Sequence, residues 1–245
     1  MIVDMDIDLS DKTALVTGAS RGIGKAIAMA LAERGAFVCL TARDVKKLNS
    51  VVKEIEKKGG KAFYISTDVT KESDIEALFE KVASKTKKID ILINNAGSDI
   101  VKDLVDLESK DYDRVFDLNV KSMFLICQKA LELMIPEKSG HIINISSVQG
   151  IKAYKKHSLY AASKHAVMGL TKAIAVETQE NNIRVSVILP GGVDTDFIKI
   201  VRPDLDRKIL IRPEDIAKTV LYFLILSPQA MVDEIYIRRS NSTPF

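Results

Sequence analysis

The chain has 245 residues, 47% of them hydrophobic, enough to bury a sizeable core. Its 36 basic and 33 acidic residues leave a net charge of +3 and are interspersed, which argues against a nucleic-acid face or a charged disordered tail. The acidic start MIVDMDIDLSDK does not resemble a signal peptide, and TVLYFLIL (219–226) is too short to span a membrane, so a soluble, cytoplasmic protein is expected.

TALVTG (13–18) reads as a first strand, and a glycine-rich turn leads into IGKAIAMALAERG, apolar at helical spacing and stopped by Gly35. AFVCLTA (36–42) is a second strand, and a charged helix over 44–58 ends at Gly59-Gly60. The strand KAFYIST, a helix over 71–87 and the apolar run IDILINNAG (89–97) follow. A long helix is expected over about 109–135, ending near Pro136 and Ser139-Gly140. Next come the strand HIINISS (141–147), a loop, a helix over 158–180 and the strand RVSVILPGG (184–192). Pro213 opens a helix to about 226, and DEIYIRR (233–239) is the last strand. This alternation predicts an α/β protein of the doubly wound Rossmann type, a seven-stranded parallel sheet with helices on both faces. No repeat or linker breaks it, so one domain over 1–245 is the economical expectation. Cys39 and Cys127 lie in apolar surroundings and read as buried free thiols.

GASRG (18–22) fits the G-x-S-x-G pattern of a hydrolase elbow, which would make Ser20 a nucleophile. However, it follows the first strand, and His141, His157 and His165 all fall too early for the acid and histidine of that fold. The alternative is a cradle. Gly18, Gly22 and Gly24 bare the backbone at a helix mouth, where unpaired amides favour a phosphate.

TGASRGIG, NNAG (94–97), Tyr160-Ala-Ala-Ser-Lys164 and PGGVDT (190–195), in this order and spacing, resemble the motifs of the short-chain dehydrogenase/reductase family. The likeness runs from about residue 9 to 226; the family's frequent "DGG" ending is replaced by DEIYIRRSNSTPF. The resemblance implies a catalytic group of Asn119, Ser147, Tyr160 and Lys164 and no metal. Tyr160 and Lys164 are i and i+4, so they share a helix face. A phenol with pKa about 10 needs ~3–4 kcal/mol of help to work near neutrality, and one ammonium at ~4 Å supplies about that much. Ser147 can hydrogen-bond a carbonyl oxygen as charge develops, while Ser146 should point elsewhere by strand alternation. In the family, the residue matched by Asn119 holds a water relay behind the lysine.

A nicotinamide dinucleotide is the implied cofactor. The residues expected around it are Gly18, Ser20, Arg21, Gly22, Ile23, Gly24, Arg43, Asp68, Val69, Asn95, Ala96, Gly97, Tyr160, Lys164, Pro190, Gly191, Val193 and Thr195. An NAD enzyme carries an acid at the end of its second strand. Here Ala42 and Arg43 stand there, with Arg21 in the glycine loop, and two guanidiniums suit the 2′-phosphate of NADP(H). The bland alternative for Arg43 is a surface pair with Asp44.

These motifs point first to an NADPH-dependent carbonyl reductase, equivalently an alcohol dehydrogenase. A 3-oxoacyl-[acyl-carrier-protein] reductase is the runner-up, and a non-catalytic NADP(H) sensor is a remote third, since Tyr160 and Lys164 are both present. A lid is expected at about 196–213, and helices 109–135 and 158–180 are expected to pair in a homo-oligomer, a dimer or tetramer. The loop VQGIKAYKKHSL groups Lys152, Lys155, Lys156 and His157; beside the bland reading of a solvated basic loop stands a sharper one, that one or two of the lysines attract an anionic small-molecule substrate with a carboxylate, phosphate or phosphopantetheine group.

Overall fold

Seven strands form one parallel sheet in the order β3-β2-β1-β4-β5-β6-β7 in the computed structural model, which describes residues 7–86 and 88–243. They are β1 (Thr13–Thr17), β2 (Phe37–Ala42), β3 (Lys61–Ser66), β4 (Ile91–Asn94), β5 (Gly140–Ile145), β6 (Ile183–Pro190) and β7 (Glu234–Ile237). The expected start and final residues Pro244 and Phe245 lie outside the described residues, as does Lys87 at the end of the third expected helix.

Strand alternation sorts the core into two layers, because successive side chains leave a strand on opposite faces. Ala14, Val16, Val38, Leu40, Ile91 and Ile93 face one layer, with helices α1 (Gly22–Glu33), α2 (Val45–Lys57) and α8 (Pro213–Ile225). Leu15, Cys39, Leu92 and Ile142 face the other, with α3 (Glu72–Thr86), α5 (Ser122–Glu137) and α6 (Ser158–Thr178). Both cysteines are buried and free, as read from the sequence. No helix among the described residues is long and apolar enough to cross a membrane.

The chain runs outward from β1 through β2 to β3, then returns to place β4 on the other side of β1. That reversal opens a crevice at the carboxyl ends of β1 and β4, the standard place for a ligand in such sheets. Asp90 fixes the opposite end, its carboxylate accepting from the Thr13 N–H at 2.8 Å and from Lys88 at 2.9 Å.

The expected helix over 109–135 is really three pieces. Helix α4 (Ser109–Phe116) passes into a π-helical stretch at Asp117–Lys121, and α5 continues to Glu137, one residue past Pro136. Pro136 is tolerated because it sits in the last turn, where it costs a single intrahelical bond before Lys138 (φ 48°) ends the helix. Between β6 and α8 lies a short helix, α7 (Asp196–Val201), which the sequence pattern did not announce.

His141, at the start of β5, is 3% exposed, with Nε2 at 2.9 Å from the Ser186 hydroxyl. Burial, with the Arg184 cation beside it, lowers its pKa from 6.5 to about 3. A depressed histidine stabilises the fold above the unfolded pKa and loses that contribution as pH falls toward the folded one. Between pH 7.5 and 5 this costs about 2 kcal/mol. Urea unfolding at the two pH values should show the loss, and His141→Gln should remove most of it; an equal loss in the variant contradicts the assignment.

Candidate active site

The turn after β1 sets the crevice floor. Gly22 has φ +55°, in the region that favours glycine, and a Cβ on Gly24 would lie 2.5 Å from both the Gly18 carbonyl oxygen and Asn95 Nδ2. Thr17 stitches this turn to β4: its hydroxyl oxygen accepts from the N–H groups of Asn95 at 2.9 Å and Ala96 at 3.0 Å. Asn95 Nδ2 answers by donating to the Thr17 carbonyl at 3.0 Å.

Helix α1 begins without a side-chain cap at Arg21 and without an acidic residue in its first turn. Its positive end therefore faces the crevice unneutralised, which fits a dinucleotide phosphate. Ser20 sits in this strand-to-helix turn, and none of the three histidines hydrogen-bonds it.

The crevice opens into a cleft of about 680 Å³. It brings together Gly18, Ser20, Arg21, Gly22, Ile23, Arg43, Asp68, Val69, Asn95, Ala96 and Gly97 from one half of the sheet. Ser147, Tyr160, Lys164, Pro190, Gly191, Val193 and Thr195 join them from the other half. Gly24 and Asn119 do not line it; they stand behind it. Asn119 is 3% exposed in the π-helical stretch, with its Nδ2 donating to the Ser98 carbonyl at 2.8 Å and to the Ser163 hydroxyl at 2.9 Å. Its Oδ1 accepts from the Ser98 N–H at 2.8 Å. The side chain thus fixes the strand-four loop against α6.

Tyr160 and Lys164 do share a face of α6, but not in the expected way. Lys164 Nζ donates to the Ile145 carbonyl at 2.9 Å and lies 5.6 Å from the Tyr160 ring centroid. Burial lowers Lys164 to about 8, partly opposed by the Asp99 carboxylate. The same burial raises the Tyr160 phenol well above its ordinary value; the Ser147 hydroxyl pulls it down and Asp99 pushes it further up. Burial of the phenol thus opposes the help expected from the adjacent lysine. The sequence argument counted the ammonium's attraction and omitted the desolvation of the phenolate, which is the larger effect.

Ser147 Oγ accepts from the Gln149 N–H at 3.1 Å, so its own O–H is the donor that faces the Tyr160 phenol. Ser146 points away, donating to the Lys164 carbonyl at 3.2 Å, as strand alternation predicted. On the far side, Asp44 caps α2 through the Lys47 N–H and pairs with Lys47, not with Arg43. Arg43 has no ion-pair partner among the described residues, while Arg21 lies 3.8 Å from Asp196 with both exposed.

Sequence reasoning missed Asp99, two residues beyond NNAG. Its carboxylate is 2.5 Å from His157 Nδ1, both side chains are buried, and both residues line the cleft. It also missed the C-terminal wall, where Tyr236, Arg238, Arg239 and Ser242 close the cleft. The loop lysines divide. Lys152 lines the cleft, whereas Lys155 does not and Lys156 pairs with Asp103 at 3.2 Å on the surface. Lys155 and Lys156 are both exposed, and Lys156 takes a left-handed backbone (φ 68°).

A model of the short-chain dehydrogenases matches residues 12–206. An uncharacterised oxidoreductase of Staphylococcus aureus (strain USA300) is 38% identical over 231 residues, 94% of this chain and 98% of its own. Among solved structures, a metagenomic short-chain oxidoreductase in complex with NADP is 35% identical with a TM-score of 0.85, covering 96% of this chain and 99% of its own. A putative gluconate dehydrogenase from Agrobacterium tumefaciens is 33% identical with a TM-score of 0.88, over 94% and 95%.

Proposed function

The chain belongs to the short-chain dehydrogenase family, and we propose that it is an NADP(H)-dependent oxidoreductase that interconverts a carbonyl and an alcohol on a small molecule. The observation that carries this reading is Tyr160, Lys164 and Ser147 converging on the cleft beside an uncapped helix end. A nucleotide-sensing protein has no use for a desolvated phenol, ammonium and hydroxyl on one wall.

The Gly-rich turn, Asn95–Gly97 and Pro190–Thr195 would hold the dinucleotide, which when bound supplies or accepts the hydride. Tyr160 gives its phenolic proton to the substrate oxygen in reduction and takes it back in oxidation. Ser147, its lone pair engaged by Gln149, directs its O–H at the same oxygen and stabilises the charge that develops there. Lys164 is held by Ile145 and keeps a positive charge near the phenol. Both Nδ2 hydrogens of Asn119 are taken by Ser98 and Ser163, so it holds those two residues, with one lone pair of its Oδ1 and the backbone of the π-helical stretch left to receive water.

Arg43, unpaired at the end of β2, favours NADP(H) over NAD(H), and the NADP complex of a relative supports the same preference. The named substrate of the Agrobacterium relative supports chemistry at a CH–OH group. Phe197, Ile198, Val201, Arg202 and Leu205 line the cleft, which supports a lid role for residues 196–213, including α7. Exposed Tyr112, Phe124 and Val176 on α4, α5 and α6 suit pairing of these helices in a homo-oligomer.

Tyr160→Phe should lower kcat at least about a hundredfold while leaving NADPH affinity and Tm nearly unchanged, since only a proton donor is removed. Lys164→Met should weaken both turnover and cofactor binding. A Phe variant with more than a tenth of wild-type turnover contradicts the acid/base role.

Arg43→Ala should weaken NADPH binding roughly ten- to hundredfold, as expected for a charge-assisted bond to phosphate, and NADH binding hardly at all. Titration by nicotinamide fluorescence separates the cases. Equal losses for the two cofactors contradict the assignment.

A further inference from the structure

The substrate end of the cleft carries an unbalanced charge. Its wall is assembled from three separate segments: the loop after β5, the stretch after α7 and the turn after β7. Four cations reach it, and two are already spoken for. Arg202 is closed by a forked pair with Asp204, at 2.8 and 2.7 Å. Arg238 NH1 donates to the carbonyls of Arg239, Ser240 and Ser242 at 3.1, 3.2 and 2.7 Å, which folds the C-terminal turn.

Lys152 and Arg239 are different. Lys152 Nζ lies 5.4 Å over the Tyr236 ring, and hydrogen bonding to the Tyr236 hydroxyl raises its pKa, so it is firmly charged against a neutral partner. The Arg239 guanidinium has no hydrogen-bond or ion-pair partner among the described residues. It is half-buried, and its stem lies where a Cβ on Gly192 would come within 3.6 Å of Cδ. Asp204, already forked to Arg202, is one acid near it; deeper in, Asp99 is held by His157. A second observation points to a ligand here. Gln149, 8% exposed and lining the same cleft, has a buried Oε1 with no hydrogen-bond partner. A buried acceptor of this kind costs stability unless something donates to it.

We propose that the substrate carries an anionic group, carboxylate or phosphoryl, received by Lys152 and Arg239, with Gln149 accepting a hydroxyl proton from the same molecule. This rests on the reductase reading above and adds to it the class of substrate. The group binds at the end of the cleft built by the C-terminal segment, so the carbonyl to be reduced is presented to Tyr160 by its charged tail. Two cations in a concave, partly desolvated wall repel each other until an anion enters, and an anion there gains from both.

The test uses matched pairs: short oxo acids against their methyl esters, and ketose phosphates against the free ketoses. The first pairs read carboxylate and the second phosphoryl. At low salt at least one anionic member should exceed its neutral partner in kcat/KM by roughly tenfold or more, mainly through KM. The gap should narrow at high salt, as screening requires. Lys152→Gln/Arg239→Gln should shrink that gap to less than about threefold, with Tm unchanged to show that the fold survives. Calorimetry on the protein loaded with oxidised cofactor, where oxo compounds cannot be reduced, should give the same gap in Kd. Turnover of neutral and anionic members alike, or a gap that survives in the double variant, overturns the anion site alone. A binding gap without turnover of any pair overturns the reductase reading and leaves the anion site standing.

Discussion

An ammonium group that is almost wholly covered governs this molecule. Lys164 is 5% exposed, and its Nζ is tied to one neutral partner, the Ile145 carbonyl at 2.9 Å. Burying a charge is expensive, and here it draws the lysine down to about 8 against the partial support of the Asp99 carboxylate. The neighbouring phenol suffers the opposite displacement from the same cause, because burial penalises phenolate as much as ammonium. Burial thus holds the tyrosine in its protonated state and brings the lysine close to losing its proton, until a further charge arrives. A cation bound in the cleft favours the phenolate and completes what the lysine begins.

The rest of the fold serves to hold that wall in place. Helix α6 presents Tyr160 and Lys164, β5 ends in the Ile145 carbonyl and Ser147, and the π-helical stretch places Asn119 behind them. Asn119 ties α6 to the loop after β4, so three elements from different parts of the chain are locked within a few ångströms. Opposite this wall lie the uncapped end of α1 and the unpaired Arg43, both favourable to phosphate. The cleft thus carries two positive regions, one at the nucleotide end and one at the C-terminal end, with the proton-handling groups between them.

Much of this was legible from residue order. Short continuous apolar runs and glycine stops placed all seven strands within two or three residues, because a strand covered on both faces leaves a strong local pattern. The glycine turn and the i, i+4 spacing of Tyr160 and Lys164 were likewise local. What escaped was set by partners far along the chain. The π-helical stretch answers to Ser98 and Ser163, which lie 21 and 44 residues from Asn119. Lys164 meets a carbonyl 19 residues away rather than the tyrosine one turn back, and Asp99 finds His157 across 58 residues. Lys155 and Lys156 looked equivalent to Lys152 in the sequence, yet Lys152 alone of the three lines the cleft.

The balance between burial and charge at Tyr160 can be measured directly. The ultraviolet difference between wild type and Tyr160→Phe, titrated with pH, isolates this phenol from the other five tyrosines. In the protein alone Tyr160 should stay protonated beyond the ordinary phenol range, near pH 10. With NADP⁺ bound its ionisation should fall by about two units or more, as an added cation a few ångströms away requires. A phenol that ionises near neutrality without cofactor, or one that NADP⁺ does not move, contradicts the account.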